Sequence, residues 1–244
     1  MMNRGPSGAK NTGIKNANEK YIAFLDDDDE WLPEYLDIMI NVMDREGKQT
    51  GLAFAPFYSI CPDTGVVLNI RKQQKKQRKK GASIGFPSRW IVRKEVFQKA
   101  GMFDEEINIL VDVELSFRIL KHYKAIYVDK PLVKLYRTEG SVSSDIRAQR
   151  GVIPILLDRY SEIMNTAELA DWYIALTNSY FAEGIFKIGR QNLKRAIRTN
   201  PFSLKILLLF LTSFLGHRLY FNLNRILNLN LTKVIGRIKK FVKG

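Results

Sequence analysis

Apolar residues follow two different patterns along this chain. Short apolar runs at 21–25 and 52–60 lack helical spacing and are typical of strands. Between them, residues 36–45 carry apolar side chains at helical spacing, and Gly47 ends this predicted helix. From residue 152 onward only the helical period remains. The pattern therefore predicts an α/β fold followed by an all-helical region.

The apolar run at 21–25 ends in four consecutive aspartates, Asp26 to Asp29. Five apolar residues without polar alternation predict a strand that is buried on both faces. Ligands of open α/β sheets bind beyond the carboxyl ends of the strands, and adjacent carboxylates repel unless a cation or a hydrogen-bond network holds them. Mg²⁺ and Mn²⁺ take carboxylate oxygens. An acidic cap on the following helix is the alternative, and one aspartate would serve for it.

Further strands and turns complete the predicted α/β part. The runs 52–60 and 66–70 flank a turn at 62–65 and predict a hairpin. Residues 81–97 are predicted to pass from a flexible segment through a short strand into a helix. Two more strands are predicted at 125–129 and 131–137.

Two polar segments interrupt this pattern. Residues 3–13 form a glycine-rich opening, for which plain turns or a phosphate-binding backbone are both open, and 14–17 would add one or two helical turns. Residues 71–80 are a strongly basic run without aromatic residues. A solvated loop, a mobile lid and a contact with phospholipid or a phosphate-bearing acceptor remain open for this run. Nucleic-acid binding is not expected, because no stacking residues are interleaved.

The net charge of +14 is concentrated in the last part of the 244-residue chain. No acidic residue follows Glu183, whereas 13 basic residues do. Residues 231–242 alternate apolar and basic positions as an interfacial helix would, and a terminal helix docked on the protein is equally consistent. The apolar run 206–215 is too short to cross a bilayer. An anionic membrane surface is therefore a candidate partner.

The cysteine and histidine content indicates the cellular compartment and the kind of metal site to expect. The single cysteine, Cys61, cannot form an internal disulfide, and no apolar signal segment opens the chain. These two features predict a cytoplasmic protein. If the basic tail binds lipid, the protein would be peripheral on the membrane. His122 and His217 are too few and too far apart in sequence to suggest a zinc site. The hydrophobic content of 45% is ample for a core.

Two segments carry a family resemblance. Residues 8–14, Gly-Ala-Lys-Asn-Thr-Gly-Ile, and residues 21–31, which contain the aspartates, resemble the pattern G-x-A-R-N-x-G-I followed by Y-I-x-F-L-D-x-D-D. This pattern is that of family 2 nucleotide-sugar glycosyltransferases, which have the GT-A fold, a Rossmann-like sheet. The resemblance implies that Asp26 contacts ribose and metal and that Asp28 binds the Mg²⁺ or Mn²⁺ that bridges the diphosphate. Lys10, where arginine is usual, and Asn11 would bind substrate.

A second resemblance covers residues 110–120. The family pattern there is E-D-x-x-L-x-x-R-L, and Val111 replaces its glutamate, whereas Asp112, Leu115 and Arg118 fit. The resemblance implies that Asp112 is the general base that deprotonates the acceptor hydroxyl, with inversion at the anomeric carbon. The alternative is a carboxylate that complements the helix dipole.

Three further residues receive roles or alternatives from the same resemblance. Trp90 could stack on a sugar ring, and a core position is the commoner fate of such a residue. Arg137 would contact the diphosphate or form a surface ion pair. Glu139 stands where the family commonly has histidine.

The expected organisation has three parts. Residues 1–145 would form the catalytic domain, 150–201 a single tetratricopeptide-like helix hairpin, and 202–244 apolar and basic helices that could anchor the protein to a membrane surface. The first strands that the family's domain has are without a counterpart in this sequence, so we expect an N-terminally incomplete domain. A truncated reading frame, a second chain that supplies the missing strands, and a remnant without activity all remain open.

The predicted function is metal-dependent transfer of a sugar from a nucleotide-sugar donor to a glycan or lipid-linked acceptor. The alternative is a non-catalytic, basic peripheral-membrane or scaffold protein.

Overall fold

The computed structural model describes residues 5–71, 84–136, 146–216 and 218–227, and it divides into two compact units. The first unit contains residues 1–145 together with 160–165, and the second contains 146–159 and 166–244.

Helices are interspersed among the strands of the first unit. A short 3-10 helix, Pro87–Arg89, leads directly into β6. The elements are α1 (Gly5–Asn16), β1 (Tyr21–Ala23), β2 (Asp29–Trp31), α2 (Tyr35–Arg45), β3 (Thr50–Phe54), β4 (Phe57–Ile60), β5 (Val67–Arg71), β6 (Trp90–Arg93), α3 (Val96–Ala100), α4 (Val111–His122), β7 (Lys124–Tyr127) and β8 (Val133–Tyr136).

Two four-stranded mixed sheets result. The first has the strand order β1-β6-β3-β7, in which only β3 and β7 are parallel neighbours. The second has the order β2-β8-β4-β5, in which β4 and β8 are parallel. The predicted α/β class is thus confirmed for the first unit, with more antiparallel pairing than a Rossmann-like sheet implies.

The first sheet is covered on both faces. Leu52 and Val92 pack on one side with residues of α3 and α4, and Ala53 and Ile91 pack on the other side with α2. Because successive residues of a strand point to opposite faces, neighbouring apolar residues of β3 and β6 each enter a different core. This explains why these strands read as continuous apolar runs.

The strand before the aspartates differs from its prediction. Only Tyr21–Ala23 pair as a strand, and β1 lies at the edge of its sheet in the described structure. Ile22 and Phe24 are buried, but Leu25 is 49% exposed. The expectation of a run buried on both faces was therefore wrong for its last residue, because the chain leaves the sheet after Ala23 to form the aspartate turn.

The glycine-rich opening also differs from its prediction. Residues 5–16 form helix α1 rather than a loop. Ser7, Gly8, Asn11 and Ile14 are buried at helical spacing. Packing of this face against the first unit overrides the low helix propensity of glycine and asparagine.

The apolar run 52–60 is two strands. Pro56, between β3 and β4, has no N–H for a strand ladder, and the chain passes there from one sheet to the other. The predicted hairpin is confirmed for its second half, since β4 and β5 pair antiparallel around the turn at 62–65. The predicted helix at 36–45 and the strands at 125–129 and 131–137 are confirmed as α2, β7 and β8.

The second unit is helical in its described residues, as the sequence predicts. Phe181, Leu193, Leu209 and Tyr220 share one apolar core. None of its described helices, nor those of the first unit, combines the length and apolar character needed to cross a bilayer. Its helices are α5 (Ile146–Tyr160, whose last residue belongs to the first unit), α6 (Thr166–Phe181), α7 (Phe186–Thr199), α8 (Leu204–Thr212) and a helical stretch at 218–227.

Candidate active site

A groove of about 530 Å³ runs between α1 and the edge strand β1. Lys10 and Gly13 of α1 line one wall, and residues 21–27 line the other. At its acidic end the Lys10 ammonium lies 2.7 Å from Oδ1 of Asp26. Both side chains are partly buried, with 20% and 34% of their surfaces exposed, so solvent screens this ion pair incompletely. The structure thus brings together two residues that were predicted to bind substrate.

The four aspartates are not equivalent in the structure. Asp26 pairs with Lys10, and its backbone N–H donates to the hydroxyl of Ser88 at 3.2 Å. Asp27 and Asp28 are exposed at the turn. Asp29 begins β2, and burial there raises the pKa of its carboxyl to about 6. A hydrogen bond from Ser88 acts in the opposite direction and lowers this pKa. The charges of Asp28 and Asp26 raise the pKa of Asp29 further.

Asp112 lies in the first turn of α4, the helix that its predicted role requires. Burial raises the pKa of its carboxyl, and hydrogen bonds from backbone N–H groups at the helix start oppose this rise. The charge of Asp26 raises the pKa of Asp112 and that of Lys10 lowers it. Asp112 is therefore within electrostatic reach of the Lys10–Asp26 pair, although it does not line the groove.

The backbone before Asp112 is strained. Leu110, the residue that precedes α4, has φ 57° and is the one non-glycine residue with positive φ among those described. A bulky residue in this region costs of order 1 kcal/mol or more, and such strain clusters at functional sites. The strained turn sets the direction in which α4 leaves the loop and presents Asp112.

A buried ionic network fixes the same helix. Glu114 is 1% exposed, and the Arg118 guanidinium donates to both of its carboxylate oxygens at 2.6–2.9 Å. Tyr160 donates its hydroxyl proton to Glu114 at 2.5 Å. Arg118 also donates to the carbonyl oxygens of Ala100 and Met102. A buried charge with this many partners holds α4 in one position.

Asn11 is committed to the protein itself. Its amide accepts from the backbone N–H of Phe103 and donates to the carbonyl of Phe103, each at 2.9 Å. It also donates to Glu105 at 2.8 Å. The predicted substrate contact of Asn11 therefore remains a prediction, while its observed contacts join α1 to the loop before α4.

Two other predicted contacts have different outcomes. Trp90 is fully buried within the core of the first unit, so its indole face is not open to a sugar, and the stacking role was wrong. The core alternative is correct because β6 is an inner strand with both faces covered. Arg137 and Glu139 lie outside the described residues, as do the basic run at 72–80 and the predicted interfacial helix at 231–242.

The donor chemistry of the acidic turn fits the predicted ion. Asp26, Asp28 and Asp29 influence one another electrostatically, and the buried Oδ1 of Asp29 has no hydrogen-bond partner. Mg²⁺ and Mn²⁺ prefer carboxylate oxygens and need only one or two of them when phosphate and water complete the shell. The described ranges contain no preassembled group of three or more His, Cys, Asp or Glu side chains that could hold a metal.

Sequence reasoning missed two residues of this site. Ser88 contacts the Asp26 backbone and the Asp29 carboxylate across a long sequence separation, and nothing in its local sequence signals this. Glu114 anchors α4 from a buried position. Its spacing of four from Arg118 on a predicted helix was the available signal, because such pairs meet on one face.

Comparison with known proteins supports the family resemblance for the first part of the chain. Residues 2–101 match the model of glycosyl transferase family 2, a range that includes Lys10 and the four aspartates. The matched segment ends before Asp112.

Curated proteins with similar sequences are glycosyltransferases by name. An uncharacterized glycosyltransferase of Rickettsia prowazekii (strain Madrid E) is 25% identical over 135 residues, which are 52% of this chain and 42% of that protein. The dTDP-rhamnosyl transferase RfbF of Shigella flexneri is 29% identical over 181 residues, which are 67% of this chain and 58% of RfbF. The chain spans about half the length of these relatives.

The fold agrees with a solved structure. S. aureus TarS, residues 1–349, superposes with a TM-score of 0.51 and 13% sequence identity, over 93% of this chain and 72% of TarS. At this identity the likeness concerns the fold alone. The expected GT-A α/β architecture is thereby confirmed.

Proposed function

We propose that this chain carries the reaction centre of a metal-dependent, inverting glycosyltransferase. The observation that supports the proposal is the Lys10–Asp26 ion pair, formed by α1 and the turn after β1, with Asp112 of α4 within electrostatic reach of both residues. A cation and an acid pair at one end of the groove suit a donor diphosphate, and a second acid with a raised pKa suits proton transfer.

The residues of the chain divide the reaction between them. Asp112 accepts the proton of the acceptor hydroxyl as that oxygen attacks the anomeric carbon of the donor sugar. The bond from the anomeric carbon to the diphosphate breaks in the same displacement, and the diphosphate leaves with the electron pair. Attack from the side opposite the leaving group inverts the anomeric centre. The elevated pKa of Asp112 makes its carboxylate a stronger base than an ordinary aspartate.

Asp26 and Asp28 would hold Mg²⁺ or Mn²⁺, which neutralises the charge of a departing diphosphate when bound. Lys10 adds a fixed positive charge at the same end of the groove. The Arg118–Glu114 contacts hold α4, and hence Asp112, against the loop at 100–102. A 1 Å displacement of a base is enough to cost about 10²-fold in rate, so this anchoring belongs to the proposed site.

The proposed substrates are a nucleotide-sugar donor and a glycan or lipid-linked acceptor. The family match supports the donor class, and the name of RfbF, a dTDP-rhamnosyl transferase, supports deoxythymidine diphosphate as one nucleotide to test.

Calorimetric titration of the full chain with UDP, GDP and dTDP, with and without Mn²⁺, tests the donor site. We expect one nucleotide to bind only with Mn²⁺, and Asp26→Asn to weaken that binding at least tenfold through loss of a metal ligand. Asp112→Asn should bind the nucleotide like the native chain. If none of the three nucleotides binds with Mn²⁺, the proposal is wrong.

The same variants separate binding from chemistry. Water replaces the acceptor in slow hydrolysis of the matching nucleotide sugar, and Asp112→Asn should slow this by about 10²-fold because it lacks the base. The native rate should rise with pH through a midpoint above that of an ordinary aspartate, since burial raises the pKa of Asp112. Equal hydrolysis by the native and Asp112→Asn proteins would exclude Asp112 as the base.

A second candidate function is attachment to a membrane surface. Leu204, Leu207 and Leu211 of α8 are 67%, 45% and 54% exposed along one side of the helix. We infer that this side meets an anionic leaflet, such as the inner face of the plasma membrane, because every charged residue after Glu183 is basic. Co-sedimentation of the chain with liposomes tests this membrane attachment. If the chain also binds a nucleotide, membrane attachment accompanies catalysis; if it binds none, membrane attachment is the function of the chain.

A further inference from the structure

Arg89 is a buried cation without a counter-charge in the described structure. Arg89 is 7% exposed, and Nε and Nη2 of its guanidinium are both buried without a hydrogen-bond partner. No described Asp or Glu forms an ion pair with it, and the groups that electrostatically favour its protonated form are the phenols of Tyr127 and Tyr35. Burial of an unpaired charge is costly, so its retention requires an explanation.

Arg93, four residues away, shows how a buried arginine of this fold is normally satisfied. Arg93 is 6% exposed and donates to the carbonyl oxygens of Thr50, Met43 and Glu46 at 2.5–3.0 Å. It also donates to the hydroxyl of Tyr21. The two arginines are almost equally buried, but Nε and Nη2 of Arg89 lack the hydrogen-bond partners that the same atoms of Arg93 have.

Aromatic rings enclose the Arg89 guanidinium. Its central carbon lies 5.1 Å from the ring centroid of Phe54, 5.6 Å from that of Phe57 and 5.8 Å from that of Phe86. Such contacts offset part of the cost of burial but use none of the N–H donors. Burial still lowers the pKa of Arg89 to about 10, which leaves it charged at neutral pH. The Arg89 guanidinium is therefore a positive group enclosed by aromatic rings and shielded from solvent.

The position of Arg89 points to a ligand. Phe54 and Tyr127 end the parallel pair β3 and β7, so the guanidinium lies at the carboxyl ends of these strands, where α/β sheets bind ligands. Ser88, the preceding residue, contacts the backbone of Asp26. Gly85 lies on the side of Nη1, and an added Cβ there would be at ordinary contact distance, 3.8 Å, from that nitrogen.

We propose that Arg89 binds an anionic group, a phosphate or a carboxylate, carried by the sugar acceptor. This inference rests on the proposed function, because it assigns the anionic group to the acceptor of the proposed transfer reaction. The donor diphosphate is a poorer match, because the groove at Lys10 and Asp26 is lined by residues 6–27 and not by Arg89. A planar guanidinium with two free N–H groups suits bidentate contact with either anion.

Thermal unfolding of the full chain with inorganic phosphate, at constant ionic strength, tests the proposal. The variants are Arg89→Met, which keeps an apolar stem in the aromatic pocket, and Arg45→Met, which removes an exposed arginine from the end of α2 as a matched control. We expect phosphate to raise the unfolding midpoint of the native chain and of Arg45→Met by about 2–4 °C and to leave that of Arg89→Met unchanged. Without phosphate, Arg89→Met should unfold at or above the native temperature, because an unpaired buried charge is gone.

The opposite results would overturn the proposal. A phosphate shift retained in Arg89→Met, or a lowered midpoint of that variant without any phosphate shift in the native chain, would make Arg89 a packing residue. A parallel series uses glucuronate in place of phosphate. A larger rise of the native unfolding midpoint with glucuronate would indicate that the anionic group is a carboxylate, and a larger rise with phosphate that it is a phosphate. If neither anion raises the native midpoint, the proposed site is rejected.

Nucleotide binding separates this proposal from the donor site. Arg89→Met should bind the nucleotide with Mn²⁺ like the native chain, and saturating nucleotide should leave the phosphate shift in place. Loss of nucleotide binding in Arg89→Met would place Arg89 in the donor site and reject the acceptor assignment. Absence of nucleotide binding in all proteins, with the phosphate shift intact, would reject the donor proposal and leave an anion site without an assigned acceptor.

Discussion

At the residue scale, four identical side chains acquire three different environments. Asp26 forms an ion pair with Lys10, Asp27 and Asp28 face solvent, and Asp29 turns inward as β2 begins. The order of these environments follows from the turn, in which the N–H of Asp29 donates to the carbonyl of Asp26 at 3.1 Å. Four adjacent carboxylates thus coexist because one is neutralised, two are solvated and one has a raised pKa.

The raised pKa of Asp29 has a consequence for stability. The pKa of the folded protein is about 6 and the ordinary value is 3.8, so between these values the folded chain retains a proton that the unfolded chain has lost. Stability therefore falls as pH rises from about 4 to about 6 and stays lower above that. We expect Asp29→Asn to remove this dependence and to be more stable than the native chain by about 1 to 2 kcal/mol at pH 7.

Urea unfolding at pH 4, 5, 6 and 7, in EDTA to exclude metal ions, measures this difference. Asp27→Asn is the control, since Asp27 is exposed at the same turn and should show no such trend. A constant difference between the native and Asp29→Asn proteins across this range would contradict the assignment.

At the element scale, packing decides structures that local propensity does not. Helix α1 forms from a glycine-rich segment because Gly8, Asn11 and Ile14 fit against the first unit. In the second unit, α6 and α7 approach closely because Gly189 faces the ring of Phe181. The hydroxyl of Thr177 also donates to the carbonyl of Gly189 at 3.1 Å. A glycine at such a contact is a packing requirement rather than a helix breaker.

Replacement of Gly189 by alanine should separate α6 from α7. The added methyl group would overlap the Phe181 ring, and we expect a loss of about 2 kcal/mol in the free energy of unfolding. Gly151→Ala is the matched control, because this glycine lies inside α5 with no atom within 4 Å of an added Cβ. Its replacement should stabilise the protein by up to about 1 kcal/mol through helix propensity. Denaturant unfolding followed by circular dichroism measures both, and equal effects of the two substitutions would refute the contact.

At the scale of the whole molecule, charge and apolar surface are segregated along the chain. The 13 basic residues that follow Glu183 face no acidic residue in the same stretch. The exposed apolar side of α8, defined by Leu204, Leu207 and Leu211, lies within this basic stretch. Apolar insertion and attraction to anionic lipid act in the same direction on such a surface.

Liposomes of phosphatidylcholine with about 30% phosphatidylglycerol provide the measurement for this surface. Leu207→Glu should reduce co-sedimentation of the full chain about tenfold, because it places a charge where apolar contact is proposed. Leu36→Glu is the control: Leu36 of α2 is 45% exposed, as Leu207 is, but belongs to the first unit. Raising NaCl from about 50 to about 300 mM should weaken native binding several-fold by screening. Equal losses in both variants, or no native binding at low salt, would reject the membrane surface.

The sequence by itself determined the α/β class, α2, the β4–β5 hairpin, α4 with Asp112 in its first turn, and the all-helical second part, because each depends on local periodicity or turn chemistry. Short motifs that resemble the family pattern also indicated Asp26, Lys10 and Asp112 as candidate site residues. Only the tertiary structure decided that residues 5–16 are a helix, that Pro56 divides one apolar run between two sheets, and that Trp90 is core. It alone distinguished Arg93, whose nitrogens have hydrogen-bond partners, from Arg89, whose Nε and Nη2 have none. Burial and partners depend on contacts between residues far apart in the chain, and no local pattern encodes them.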